Sequence, residues 1–158
     1  MINVGISDWK LGQGEDIIVT YALGSCIGIC MYDKNKPVGG LSHIMLPDST
    51  SNADKTSLNR MKFADTAVPD MHAALLKKGA SASTMVAKIA GGALMFATNS
   101  ERFNIGERNV AAVKAALAKI HVPIIANDTG ANYGRTVFFY PGTGKVEVKS
   151  TVMGCKLI

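Results

Sequence analysis

The chain has 158 residues, 47% of them hydrophobic, and a formal net charge of +5, which suits one domain with a sizeable core. No apolar run reaches the roughly 18 residues that a membrane span needs, and the first ten residues carry no secretory pattern, so we expect a cytoplasmic protein without membrane insertion. The basic residues are scattered singly, which disfavours nucleic-acid binding, and three cysteines in such a chain disfavour a disulfide framework.

The first part of the chain predicts three short strands in succession. Residues 17–22 are a β-branched run, residues 26–32 are a second apolar run, and residues 38–46 are a third. Gly39 and Gly40 in the third run indicate a bulge or close packing. The tight connections between the three runs favour an antiparallel meander.

The remainder predicts two helices and four more strands. Residues 47–59 are polar and predict a mobile loop, and residues 61–78 predict an amphipathic helix that Pro69 either kinks or divides. A second helix is predicted over 106–120 and strands over 85–90, 123–126, 136–140 and 145–150, whereas residues 151–158 receive no assignment. Seven strands in hairpin-like groups and two helices predict an α+β fold, a layered α/β sandwich of mixed or antiparallel sheets, in a single domain over residues 1–158.

Cys26 carries the most chemical information in the sequence. It follows an apolar strand and Gly24, which permits a sharp turn, so its thiol is well placed to act as a nucleophile. The backbone N–H groups of Gly24, Ser25 and Cys26 would then wall the site and stabilise an oxyanion. The alternative is that Cys26 is a small core side chain, which free cysteine often is.

His43 is the one histidine beside a strand end and a polar loop, and it is therefore the candidate base for Cys26. A third group usually orients such an imidazole. Asp48 and Asp65 lie within reach along the chain, and Thr20 ends the strand before Cys26, although Thr20 is also an ordinary strand-forming residue. The cysteine and histidine spacings do not fit a zinc site, so no metal is expected.

Six motifs in chain order resemble the CheD family, the chemoreceptor glutamine deamidases of bacterial and archaeal chemotaxis. They extend from about residue 19 to residue 135 and therefore cover most of the chain. They are Gly-Ser-Cys at 24–26, His-Ile-Met-Leu-Pro at 43–47, Phe-Ala-Asp-Thr-Ala at 63–67, Lys-Ile-Ala-Gly-Gly-Ala-Leu-Met-Phe at 88–96, Asn-Ile-Gly-Glu-Arg-Asn at 104–109 and Asp-Thr-Gly at 128–130.

The resemblance implies a protein-glutamine glutaminase of α/β sandwich fold. It implies a triad of Cys26, His43 and Thr20 that converts receptor glutamines to glutamate and releases ammonia, without metal or cofactor. It also implies binding to the phosphatase CheC, so an adaptor that stimulates CheC with little catalysis of its own is the alternative. A cysteine protease fits the cysteine–histidine pair less well, because no protease signature surrounds Cys26.

The sequence departs from the family pattern at two positions. Ala131 stands where the family usually has a second glycine after Asp-Thr-Gly, and Pro69 lies in a helix that is usually continuous. Both positions lie outside the triad, so we expect any effect to fall on a loop or a partner surface.

Overall fold

The computed structural model describes residues 1–50, 58–95 and 104–158, and these form ten β-strands and two α-helices. The strands are β1 (Ile2–Val4), β2 (Asp8–Gln13), β3 (Ile18–Leu23), β4 (Ile27–Asp33), β5 (Val38–Ile44), β6 (Met85–Gly91), β7 (Ile124–Thr129), β8 (Arg135–Tyr140), β9 (Lys145–Ser150) and β10 (Gly154–Leu157). The helices are α1 (Ala64–Lys77) and α2 (Ile105–Lys119). The predicted α+β fold with two main helices is confirmed.

The strands divide equally between two sheets. The first sheet has the order β1-β3-β8-β9-β10, and the second has the order β2-β5-β4-β6-β7. Each sheet is antiparallel apart from one parallel pair, β1 with β3 in the first sheet and β6 with β7 in the second. Both sheets are therefore mixed, as the sequence predicts.

The second sheet is the middle of three layers. Alternate residues of β4 show this, because Ile29 and Met31 join a core cluster with the two helices, whereas Cys30 and Tyr32 join a cluster with the first sheet. All seven residues of β4 are buried. This strand lies at the centre of the molecule, and its first residue directly follows Cys26.

Gly39 and Gly40 provide close packing rather than a bulge. Both pair in regular register with β4. A Cβ on Gly40 would lie 2.8 Å from the side chains of Leu11 and Met71, and one on Gly39 would lie 2.8 Å from Phe139. The missing side chains let α1 on one face and the first sheet on the other approach β5 closely.

Both predicted helices are present. Helix α1 continues through Pro69, so no second helix begins there. Helix α2 begins after Asn104, whose side chain accepts a hydrogen bond from the Glu107 backbone N–H at 3.2 Å and caps the first turn. Neither helix in the described ranges is long and apolar enough to cross a membrane.

The predicted antiparallel meander is wrong. Strands β4 and β5 do pair with each other, but β3 lies in the first sheet, between β1 and β8. The chain leaves β3 through a register irregularity between Thr20 and Leu23, where Ala22 has a φ of 59°. This bulge turns the chain from one sheet to the other, and sequence spacing alone cannot distinguish such a crossing from a hairpin.

Three strands were not predicted, and one predicted feature lies partly outside the described residues. Strand β1 has three residues, β2 is largely polar, and all four residues of β10 are exposed, so none shows a clear apolar run.

The predicted mobile loop at 47–59 includes residues 51–57, which lie outside the described residues. A parallel bridge between Leu46 and Phe63 joins the two ends of this connection.

Candidate active site

Cys26 lies in the turn where the chain passes from the first sheet to the second. It is partly exposed and directly precedes β4. Three successive carbonyls of this turn each accept a hydrogen bond of 2.9 Å. The pairs are Gly24 with the Ala93 N–H, Ser25 with the Asn109 side-chain amide, and Cys26 with the Gly92 N–H. The turn is therefore held on its carbonyl side by the residues after β6 and by α2.

Gly91, the last residue of β6, shows why the glycine pair at the end of this strand matters here. Its φ is 114°, a conformation that favours glycine, and a Cβ built on it would collide with the carbonyl oxygen of Cys26. Its own carbonyl accepts a hydrogen bond from the Gly130 N–H at 2.9 Å. These contacts make the glycine-rich segment part of the wall beside Cys26.

His43 and Thr20 form a hydrogen-bonded pair that spans the two sheets. Both are fully buried, and Thr20 Oγ1 lies 2.7 Å from His43 Nδ1. The same hydroxyl donates to the carbonyl of Val4 at 2.8 Å. A threonine hydroxyl has one hydrogen, so Thr20 must accept its second bond from Nδ1–H. The unprotonated nitrogen of His43 is then Nε2, which has no hydrogen-bond partner among the described residues.

Cys26 and His43 lie on the same face of the second sheet. Both side chains face the first sheet, since His43 is hydrogen-bonded to Thr20 of that sheet and Cys26 packs against the core cluster between the two sheets. Gly28 between them carries no side chain to separate the thiol from the ring.

Burial shifts both titrating groups toward their neutral forms. It lowers the pKa of His43 to about 4, because the charged ring would lose its hydration. It also raises the pKa of the Cys26 thiol, although the residue's own backbone N–H opposes this. These directions indicate a neutral thiol beside a neutral imidazole.

The other candidates for a third group are bound elsewhere. Asp65 accepts hydrogen bonds from the backbone and the hydroxyl of Ser49 at 3.0 and 2.7 Å, and Asp48 accepts one from the Thr50 N–H at 2.7 Å. Neither carboxylate bonds to His43, whose Nδ1 is occupied by Thr20.

The remaining cysteines have different surroundings from Cys26. Cys30 is buried between the sheets, and burial raises the pKa of its thiol strongly, which agrees with a core role. Cys155 is exposed in β10. Across residues 1–50, 58–95 and 104–158, no group of three histidine, cysteine or acidic side chains is placed to hold a metal ion.

Gly24 and Ser25 differ in whether their backbone N–H groups are free to stabilise an oxyanion. The Gly24 N–H donates to the carbonyl of Ala22 at 3.1 Å and is therefore occupied. Met95 packs against Gly24, where a Cβ would lie 3.1 Å from the methionine Cγ. Gly24 is thus a wall of the site, whereas in the described part of the chain no backbone acceptor takes the N–H of Ser25 or of Cys26.

Asn109 is a site residue to which sequence reasoning gave no role. It is fully buried on α2, and its amide donates to the carbonyls of Ser25 and Met45 at 2.9 and 3.0 Å. The sequence did contain one sign of its burial. Asn109 lies four positions before Val113 and therefore on the face of the helix that packs into the core.

Comparison with known proteins places these residues in context. A family model described as CheD chemotactic sensory transduction matches residues 45–150. A protein of Caldanaerobacter subterraneus subsp. tengcongensis is 46% identical over all of this chain and 98% of its own length. One from Lachnoclostridium phytofermentans is 48% identical over 95% of this chain and 93% of its own, and one from Moorella thermoacetica is 44% identical over 99% and 95%. All three are called probable chemoreceptor glutamine deamidase CheD.

Proposed function

The chain belongs to the CheD family, and from that premise we propose that it deamidates glutamine side chains of chemoreceptors through Cys26, His43 and Thr20. The observation that carries the proposal is the hydrogen bond between Thr20 and His43 Nδ1, because it leaves the lone pair of Nε2 on the face that Cys26 shares. The names of the relatives supply the substrate class, and the site supplies groups that suit acyl transfer.

The first half of the reaction forms a thioester. His43 Nε2 takes the thiol proton of Cys26 as the sulfur attacks the side-chain carbonyl carbon of glutamine. The carbonyl oxygen becomes an oxyanion, which the N–H of Cys26 stabilises. The protonated His43 then donates its proton to the amide nitrogen, the carbon–nitrogen bond breaks, and ammonia leaves.

The second half of the reaction returns the free enzyme. His43 takes a proton from water, and the resulting hydroxide attacks the thioester carbon. The carbon–sulfur bond breaks, Cys26 recovers its proton from His43, and glutamate is released. Thr20 takes no proton in either half. It keeps the hydrogen on Nδ1, so Nε2 is available as a base at each turnover.

A neutral resting pair suits this sequence of steps. Because the pKa of His43 is about 4, the ring is an unprotonated base throughout the neutral range. The proton moves only when the sulfur begins to bond to carbon and the negative charge passes to the substrate oxygen. The enzyme therefore avoids holding a buried ion pair between turnovers, which desolvation would make costly.

The test is a mass shift on a receptor. The protein is incubated with a receptor cytoplasmic fragment, and glutamine is expected to gain about one dalton as its amide is replaced by an acid. Cys26→Ala should abolish the gain, and Cys30→Ala is the matched control because Cys30 lies in the same run but deeper in the core. An unchanged rate in Cys26→Ala would refute the nucleophile, and cleaved backbone would indicate a protease instead.

We propose CheC as the second partner, on the basis of the family resemblance. We also propose that the chain acts in the cytoplasm. The surface beside Cys26 has apolar side chains that could contact either protein, since Met45 and Met95 are 42% and 44% exposed. Added CheC should co-purify with this chain and compete with receptor deamidation. Co-purification with a silent deamidation assay would favour the adaptor role instead.

A further inference from the structure

Asn109 joins the two strand ends on which the proposed site depends. Its side-chain amide donates one hydrogen bond to the carbonyl of Ser25, just before β4, and one to the carbonyl of Met45, just after β5. Cys26 directly follows Ser25 in the chain, and His43 lies two residues before Met45. A single buried side chain therefore fixes the backbone beside both the nucleophile and the base.

The orientation of the amide follows from its partners. Both groups that face it are carbonyl oxygens, which accept and never donate, so the NH2 group must point at them and the amide oxygen must point away. Asn109 Oδ1 accordingly has no partner among the described residues. Leaving a buried acceptor unsatisfied is unfavourable, so an apolar side chain would pack here at a lower free-energy cost. The amide must therefore stabilise the structure through the two hydrogen bonds that it donates.

These bonds also set the direction of the Cys26 N–H. In a trans peptide the carbonyl and the following N–H point in opposite directions, and the described chain contains no cis peptide bond. The Ser25 carbonyl points toward α2. The Cys26 N–H therefore points away from α2, to the side on which Cys26 packs with the residues between the sheets. Its effect on the pKa of the Cys26 thiol agrees with a position near the sulfur.

A parallel contact acts on the preceding peptide. The Gly24 carbonyl accepts from the Ala93 N–H, and Ala93 lies against the start of α2, since a Cβ on Gly106 would lie 2.5 Å from its carbonyl oxygen. The Gly24 carbonyl thus points to the same side as the Ser25 carbonyl. The N–H groups of Ser25 and Cys26 are consequently directed together, and neither meets a backbone acceptor within the described residues.

We propose that Asn109 is a positioning residue that holds the Ser25–Cys26 peptide so that the Cys26 N–H meets the oxyanion of the tetrahedral intermediate. The inference rests on the proposed function for its substrate, but the geometry applies to any acyl group that reaches Cys26. Loss of a direct oxyanion donor lowers kcat about 100-fold to 1,000-fold. Asn109 acts through a peptide, so we expect about a 10-fold to 100-fold loss when its amide is removed.

Two reactions of the Cys26 thiol separate oxyanion stabilisation from thiol reactivity. Acylation by p-nitrophenyl acetate passes through a tetrahedral oxyanion and releases p-nitrophenol. Alkylation by iodoacetamide displaces iodide at a saturated carbon and forms no oxyanion. Each rate is corrected by the same protein carrying Cys26→Ala, which removes the contribution of the exposed Cys155.

We expect Asn109→Ala to lower the acylation rate about 10-fold to 100-fold while the alkylation rate stays within about 2-fold. The pH dependence of alkylation should not change, because the His43 ring keeps its hydrogen bond to Thr20 and Asn109 bonds to two backbone carbonyls rather than to the thiol or the ring. Asn104→Ala is the matched control. It removes an asparagine bond to Glu107 at the start of the same helix, at a cost of about 1 kcal/mol, without touching the Cys26 turn, so its ratio of the two rates should equal that of the wild type.

Equal losses in both reactions, no loss in either, or the same change in Asn104→Ala would overturn the proposal. If Asn109→Ala does not fold, Asn109→Leu, which has a similar size but no donors and no charge, is measured by the same ratio. Failure of the wild type to deamidate a receptor would refute the proposed function alone, because the ratio of thiol reactions requires no receptor.

Discussion

Replacing Thr20 by valine tests the hydrogen bond on which the proposed base depends. Valine has nearly the same shape as threonine but has no hydroxyl. The change leaves two buried groups without their partner, the Nδ1–H of His43 and the carbonyl of Val4. Each unsatisfied group costs about 1–3 kcal/mol, so the free energy of unfolding should fall by about 2–6 kcal/mol.

The effect on catalysis follows from the tautomer of His43. Without the Thr20 hydroxyl, the ring proton has no reason to stay on Nδ1, and molecules with the proton on Nε2 have no base facing Cys26. A buried hydrogen bond of about 1.4–2.8 kcal/mol corresponds to a 10-fold to 100-fold preference. Losing this preference leaves the two tautomers at comparable populations, so we expect kcat for receptor deamidation to fall by at least about 2-fold while KM changes little, since Thr20 is fully buried and out of reach of a substrate.

The assay combines kinetics with imidazole nitrogen chemical shifts, measured at a temperature where the variant is folded. Wild type should show a protonated Nδ1 in His43, and Thr20→Val should show a mixture of tautomers. Thr20→Ser is the control, because it keeps the hydroxyl and loses only a buried methyl group, at a cost of about 1 kcal/mol. Wild-type kcat in folded Thr20→Val, or equal losses in Thr20→Val and Thr20→Ser, would refute the orienting role.

Three further predictions concern pH and backbone strain. The acidic limb of kcat/KM should have its midpoint near pH 4 rather than 6.5, because the pKa of His43 is about 4. As the pH falls, the ring takes up a proton in the unfolded chain before it does so in the folded protein. The free energy of unfolding should therefore also fall, by up to about 3 kcal/mol, as the pH drops from 6.5 to 4. Gly91→Ala should abolish most activity, because the new Cβ would displace the Cys26 carbonyl. Gly79→Ala is the control, since Gly79 has a similar φ of 104° but a Cβ there would have no atom within 4 Å, so this variant should lose only stability. Thermal melting combined with an activity assay distinguishes the two outcomes. Ala131→Gly should raise the free energy of unfolding by about 1 kcal/mol in denaturant titration, because Ala131 has a φ of 59°; an unchanged midpoint would contradict this.

The residues of the candidate site were more predictable than the way in which the fold assembles them. Cys26 after a glycine turn and His43 near a strand end are local patterns, and both strands formed where the apolar runs predicted them. Thr20 was expected at the end of its strand, but it lies inside β3, and its contact with His43 joins two different sheets. Residue spacing describes neighbours along one strand, so it cannot reveal a pair that packing between layers creates.

Asn109 and Gly91 illustrate what sequence reasoning does not reach. A buried asparagine is recognisable only once its carbonyl partners are known, and those lie 84 and 64 positions away along the chain. The need for glycine at position 91 likewise comes from the Cys26 carbonyl oxygen. That oxygen lies next to Gly91 because β6 pairs with β4, which begins directly after Cys26. Both requirements arise from backbone atoms, whose positions are not encoded in any single residue type.

The division of the hydrogen-bonded pair between two layers has a consequence for how the protein acquires activity as it folds. Thr20 belongs to the first sheet and His43 to the second, so neither sheet alone can fix the ring tautomer. During refolding, circular dichroism should recover as strands form, but turnover should return only when the layers dock. Enzyme activity is thus a built-in reporter of the docking of the two sheets, with no added fluorophore.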